Sequence, residues 1–257
     1  MRIHLNETYS FHYLGRMVID FFCILVKLKL NNTEIMLFIL SKKNMKNRIY
    51  SALVLIIGLL MFSSAYLSND PKPLKIGKSA PLQTEKMRNV DGSEVSLADS
   101  KLEKGLLVVF SCNTCPFVVG NEHFAGWEKQ YNSIHTLTKE SKIGMVLVNS
   151  NEGKRDKDDA FDAMVDHSKQ LGYTMPYLLD RNSKLADAFG AKTTPHVFLF
   201  DADMKLVYSG SIDNTWDSKR TEDIHYLGDA ISELSSDSKV SLKETPPRGC
   251  GIKRVKI

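Results

Sequence analysis

The run Leu106-Leu107-Val108-Val109-Phe110, followed at once by Ser111-Cys112-Asn113-Thr114-Cys115-Pro116, constrains the chain more than any other stretch. Its apolar residues, bounded by Lys104-Gly105 and the cysteines, have the length and composition of a buried strand. Beyond the cysteines, Phe124, Trp127, Tyr131 and Ile134 recur at spacings that mark one face of a helix. The fold must therefore contain a strand-to-helix junction with two thiols in its turn. The pattern then repeats. Residues 145–149 read as a second buried strand, and Phe161, Met164, Val165 and Leu171 as a second amphipathic helix. Strands at 196–201 and 205–210 are separated by Ala202-Asp203-Met204, and a last helix is expected over about 220–234. This order predicts an α/β layer fold with a mixed central sheet flanked by helices. With 257 residues, 43% of them hydrophobic, the chain can bury one good core.

The formal charge of +4 is unevenly placed. Residues 1–48 carry eight Lys and Arg against three acids, so the basic excess precedes the expected domain. A nucleic-acid binder needs its basic stripe on the folded domain, so that class is set aside. Ile49 to Leu67 is nineteen residues without a charge, preceded by Met45-Lys46-Asn47-Arg48 and ending near Ser63-Ser64-Ala65. A basic start, an apolar core and small residues at the exit read as a secretory signal over 45–67. Nineteen uncharged residues also suffice for an uncleaved membrane anchor, and the flanking Lys and Arg keep the N-terminal side cytoplasmic either way. Translation is expected to start at Met45, with 1–44 an upstream extension or cytoplasmic segment. Residues 68–75 form a linker, and 76–257 the domain, with a C-terminal tail from about 236. The protein is expected to be exported, periplasmic or anchored facing the extracytoplasmic side.

Three chemistries suit a Cys-x-x-Cys pair: a redox couple, half of a metal site, or a peroxidase centre. A structural zinc site wants four ligands, usually two such pairs, and beyond the signal the chain adds only Cys250. No metal and no cofactor is expected. At a helix N-terminus, unpaired N–H groups and the helix dipole stabilise a thiolate. Cys112, expected to be the more exposed, is the natural nucleophile, with Cys115 one turn in and placed to resolve a mixed disulfide. Asn149, Ser150 and Asn151 close a strand on the same edge and are expected to line the site, whereas Asp213 and Asn214 shape a loop.

Several segments together carry a resemblance: Ile76 to Pro81, Asp91 to Ser100, the Cys112 to Pro116 motif, Tyr177 to Asn214, and the tail Gly249-Cys250-Gly251-Ile252-Lys253. Over about 75–257 the chain resembles thioredoxin-fold redoxin-domain proteins of the peroxiredoxin-like and TlpA type. The resemblance implies a thioredoxin-like fold. It also implies that Thr194-Pro195 contributes a cis-proline loop whose backbone pairs with an extended substrate segment. The chain departs from the family pattern in three places. Ser111 stands where thioredoxins carry tryptophan, Leu106 where they carry a buried acid, and Val109 where peroxiredoxins carry the threonine that binds peroxide. The missing acid means that protons are handled differently from thioredoxins, and the missing threonine leaves the peroxidase constellation incomplete, which favours disulfide exchange over peroxide reduction.

The expected function is therefore an extracytoplasmic thiol–disulfide oxidoreductase using Cys112 and Cys115, with Thr194 and Pro195 binding substrate. Its partners would be a disulfide-containing protein or a small thiol or peroxide, a thiol electron donor, and the membrane if the N-terminal segment is retained. The alternatives are a peroxiredoxin-like thiol peroxidase and a non-enzymatic redoxin-like binding or sensor module. Three accessory roles stay open. His196 would face the dithiol and raise its oxidising power if protonated, or serve as a plain strand residue. Glu122 would shuttle protons or remain a solvated charge. Cys250 would resolve or partner Cys112 from a mobile tail, or be a spare thiol.

Overall fold

The computed structural model describes residues 71–255, so the expectations for 1–44, for the signal or anchor at 45–67 and for the first part of the linker lie outside it. Seven strands form one mixed sheet: β1 (Met87–Asn89), β2 (Glu94–Val95), β3 (Gly105–Ser111), β4 (Ile143–Asn149), β5 (Tyr177–Leu179), β7 (His196–Asp201) and β8 (Leu206–Gly210). Their spatial order is β2-β1-β5-β4-β3-β7-β8. β3 lies near the centre, parallel to β4 and antiparallel to β7. Two further strands, β6 (Thr193–Thr194) and β9 (Cys250–Gly251), pair antiparallel in a separate two-stranded sheet.

Every residue of β3 and β4 is buried, as apolar strands covered on both faces must be. Side chains alternate between two cores because successive Cβ atoms point to opposite faces. Leu107 and Val109 join Trp127, Tyr131, Met164, Tyr177, Leu227 and Ile231 on one side. Leu106, Val108 and Phe110 join Leu97, Phe189, Phe198 and Phe200 on the other. The helices supplying these residues are α1 (Leu97–Ser100), α3 (Glu128–Glu140), α4 (Phe161–Leu171), α5 (Lys184–Phe189) and α6 (Tyr226–Ser235). α1 starts with a capping box: Ser96 Oγ accepts from the Asp99 amide and Asp99 Oδ2 accepts from the Ser96 amide.

The helix expected directly after the cysteines is interrupted. Only one turn, α2 (Pro116–Val119), follows them, and α3 begins at Glu128. Gly120 (φ 95°) and Gly126 (φ 82°) break the path in a conformation that L side chains rarely adopt. Asn121 Oδ1 then accepts from the amides of His123 and Phe124, building a turn in which Phe124 and Trp127 still reach the core. The last helix starts at Tyr226, later than periodicity suggested.

The C-terminal tail is the larger difference. It is strapped down, not loose. Thr245 and Lys243 bond the backbone of Ser209, Arg248 N–H donates to Ser211 Oγ (3.1 Å), and Ile252 N–H donates to the Lys192 carbonyl (3.1 Å). Lys253 N–H reaches Asn151 Oδ1 (2.9 Å) and Gly153 N–H reaches the Lys253 carbonyl (2.6 Å). Ile252 is buried.

Candidate active site

Cys112 follows the last residue of β3, and Cys115 is the N-cap of α2 with Pro116 at the first helical position. Proline costs nothing there because its missing N–H would have lacked an intrahelical partner. The amides of Val118 and Val119 both donate to the Cys115 carbonyl (2.7 and 2.9 Å). The helix end thus lies at Cys115, about one turn later than the sequence reading placed it, so Cys115 caps the helix instead of lying inside it.

Cys112, Cys115 and Cys250 are free thiols. Cys112 Sγ lies 3.1 Å from the Thr194 hydroxyl and accepts the Cys115 amide at 3.3 Å. Cys115 Sγ lies 3.0 Å from the Thr194 carbonyl oxygen and accepts the Cys250 amide at 3.3 Å. Thr194 therefore touches both sulfurs, one through its side chain and one through its backbone. The Thr194-Pro195 peptide is cis.

The closeness of the paired sulfurs separates their ionisations. It draws Cys115 down to about 5, helped by the Cys250 thiol and amide. The same closeness, with burial and the negative charge of Asp159, pushes Cys112 well above the ordinary thiol range. The Thr194 carbonyl opposes this assignment, because an S–H on Cys115 donates to it while a thiolate meets it as a second negative atom. The pair loses its first proton below the ordinary thiol range and its second above it.

The expectation that Cys112 is the more exposed sulfur is corrected: Cys112 is 2% exposed and Cys115 4%. Both are buried, with the Cys250 amide against Cys115 and the Thr194 hydroxyl against Cys112. Thr194 pairs with Cys250, and Thr193 with Gly251. The backbone edge expected to receive a substrate segment is occupied by the chain's own tail. Cys250 is only partly covered, and it meets Cys115 instead of the Cys112 foreseen for it.

The two other accessory residues stand apart from the thiols. His196 is buried with Nδ1 accepting the Lys192 amide and Nε2 donating to Ser209 Oγ, both at 3.2 Å, so neither ring nitrogen serves the dithiol. Burial, with Lys192 adding to it, lowers His196 to about 3, so the ring is neutral and carries no charge to the cysteines. Glu122 is 83% exposed and faces His123, a solvated charge. Asn149, Ser150 and Asn151 are buried beside the site, and Asp213 accepts from Trp127 Nε1 (2.7 Å) to fix a loop.

A residue the sequence reading missed is Asp159. Fully buried, its carboxylate accepts from the Asn113 amide (2.9 Å), Asn149 Nδ2 (2.7 Å) and Asn151 Nδ2 (2.9 Å). Asn113 is further held by Tyr177 Oη and by the Asp158 carbonyl, both at 2.8 Å. Asn113, the first of the two residues between the cysteines, thus rests on a buried polar floor. In sequence Asp159 ends the charged run Arg155 to Asp159, which looks solvated throughout. Among the described residues no group of three or more His, Cys, Asp and Glu is placed to hold a metal ion.

A family model described as Redoxin matches residues 75–225, more than half of the chain. Among solved structures, an uncharacterized conserved protein from Geobacillus kaustophilus is 30% identical, with a TM-score of 0.63 over 71% of this chain and 94% of that one. A hypothetical protein from Sinorhizobium meliloti 1021 is 26% identical, with a TM-score of 0.63 over 72% of this chain and 98% of that one. A search of curated proteins finds no match.

Proposed function

The chain belongs to the Redoxin family, and from that membership we propose a thiol–disulfide oxidoreductase that cycles Cys112 and Cys115 between dithiol and disulfide. Membership supports thiol redox chemistry and oxidoreductase activity in general. The finer reading rests on one observation: both sulfurs sit on Thr194, Cys112 against its hydroxyl and Cys115 against its carbonyl, while the Cys115 amide donates to the Cys112 sulfur. Closing the Cys112–Cys115 bond releases two electrons and two protons to a substrate disulfide, and the reverse reaction takes them from external thiols. The Thr194 hydroxyl and the Cys115 amide are placed to receive negative charge on Cys112 whenever that bond opens. An extracytoplasmic setting, proposed from the uncharged run at 49–67, is one where such a pair meets disulfides.

The test uses the full chain with Cys23 replaced by serine, so that only Cys112, Cys115 and Cys250 report. Thiol loss is followed with hydrogen peroxide and with a disulfide-bonded protein, and the bonds formed are mapped by peptide mass spectrometry. Faster exchange with the protein disulfide, closing Cys112–Cys115, is the expected result. Faster oxidation by peroxide would make the protein a peroxidase built without the usual threonine.

A further inference from the structure

The two sulfurs of the proposed couple are buried, so an external thiol or disulfide has no direct path to them in this conformation. A third cysteine, partly exposed, lies against one of them, its backbone amide donating to the Cys115 sulfur at 3.3 Å. We propose that Cys250 is a relay thiol, the port through which external thiols reach the Cys112–Cys115 disulfide. This inference rests on the dithiol cycle proposed above.

Three features put Cys250 in this position. Its β-pairing with Thr194 is antiparallel and in register, so it faces the residue that holds both active-site sulfurs. Gly249 allows the approach, since a Cβ there would stand 2.2 Å from the Thr194 carbonyl oxygen. The tail is anchored on both sides of it, by Ser211 upstream and by Lys192 and Asn151 downstream. Spare thiols do not need such a frame.

The exchange balances as follows. Cys250 gives up its proton, and its sulfur attacks the Cys115 sulfur of the Cys112–Cys115 disulfide. A Cys115–Cys250 bond forms, and Cys112 leaves as a thiolate toward the Thr194 hydroxyl and the Cys115 amide, then takes a proton. An external thiolate RS⁻ attacks the Cys250 sulfur, forming Cys250–SR and releasing Cys115, which is protonated in turn. A second external thiolate attacks the sulfur of R, forming RS–SR and returning Cys250. Two external thiols have supplied two electrons and two protons, and Cys112 and Cys115 are reduced. In the dithiol state Cys250 is raised to about 11 by burial and by the Cys115 sulfur against it. Oxidation of Cys115 removes the second cause, so Cys250 becomes a better nucleophile in the state where it must attack.

The full chain carrying Cys23→Ser is oxidised and then reduced with glutathione, with and without Cys250→Ser. A relay predicts that Cys250→Ser slows reduction of the Cys112–Cys115 bond at least tenfold. As a second measurement, Cys112→Ser treated with one equivalent of oxidised glutathione should yield a Cys115–Cys250 cross-linked peptide. Reduction of Cys250→Ser within twofold of its parent, or glutathione found on Cys115 beside a free Cys250, would overturn the relay and leave the dithiol cycle standing. A parent that never closes Cys112–Cys115 would instead remove the proposed function, and the relay with it.

Discussion

Asp159 shows how a buried carboxylate can add to the shift of a neighbouring thiol that Cys115 and burial already raise. It accepts three hydrogen bonds from the asparagine-rich floor, and its charge raises Cys112. Asp159→Asn removes that charge, so the Cys112 thiol should titrate at lower pH. It also turns an amide N–H₂ toward residues that donate, costing about 1–3 kcal/mol of stability. The pH profile of carboxymethylation mapped at Cys112, beside a urea unfolding curve, checks both effects. A profile that stays in place or moves upward would remove Asp159 from control of the pair. At this scale the sequence is uneven. Cys112 and Cys115 were readable because their residue type and spacing carry chemistry, and Thr194-Pro195 through the family resemblance. Asp159 was not, because a buried acid and a solvated one are the same letter and only the tertiary floor of Asn113, Asn149 and Asn151 distinguishes them. His196 misled for a related reason: its role depends on Ser209 and the Lys192 amide, neither of which a strand pattern predicts.

Among the elements, the tail strand β9 has the most functional weight for its two residues. It closes the site only because Gly249 lets the backbone lie against Thr194. Gly249→Ala should lift the strand, at a cost of about 1–3 kcal/mol from overpacking. Alkylation of Cys112 and Cys115 should then quicken severalfold, and the Cys250 and Ile252 amides should lose protection from hydrogen exchange. Unchanged protection with unchanged alkylation would show that the site is covered by something other than this strand. Prolines and polar residues made the tail read as loose, since its partners Ser211, Lys192 and Asn151 lie far away in sequence. Strands of two or three residues, such as β1, β2, β6 and β9, are too short to show a period. By contrast, β3, β4, β7, β8 and α4 were legible, being apolar runs or clear helical stripes. The break between α2 and α3 was hidden because Phe124 and Trp127 keep the helical spacing while the backbone between them turns at Gly126.

For the whole molecule, burial of a neutral histidine links stability to pH. His196 titrates near 3 in the folded chain against 6.5 when unfolded, so the unfolded state binds the extra proton first as pH falls. Stability is therefore complete above about pH 6.5 and declines toward pH 3, with about 2 kcal/mol lost between pH 7 and pH 5 from this group alone. Urea unfolding at the two pH values, compared with His196→Gln, isolates that share. A variant with the parent's slope would assign the pH dependence to other groups. The α/β architecture and mixed sheet were legible because alternating apolar strands and amphipathic helices leave few ways to layer a single core. The strand order and the closure of the site by the tail were not, since both depend on contacts between distant segments. That closure makes the tail a ruler. Because β9 meets Thr194 at one residue, a slip of one position would present Gly249 or Gly251 to Cys115 and turn the Cys250 sulfur to the other face. Between its anchors at Ser211 and Lys192, the segment therefore has a fixed count: one residue added or removed would take Cys250 out of register with Thr194.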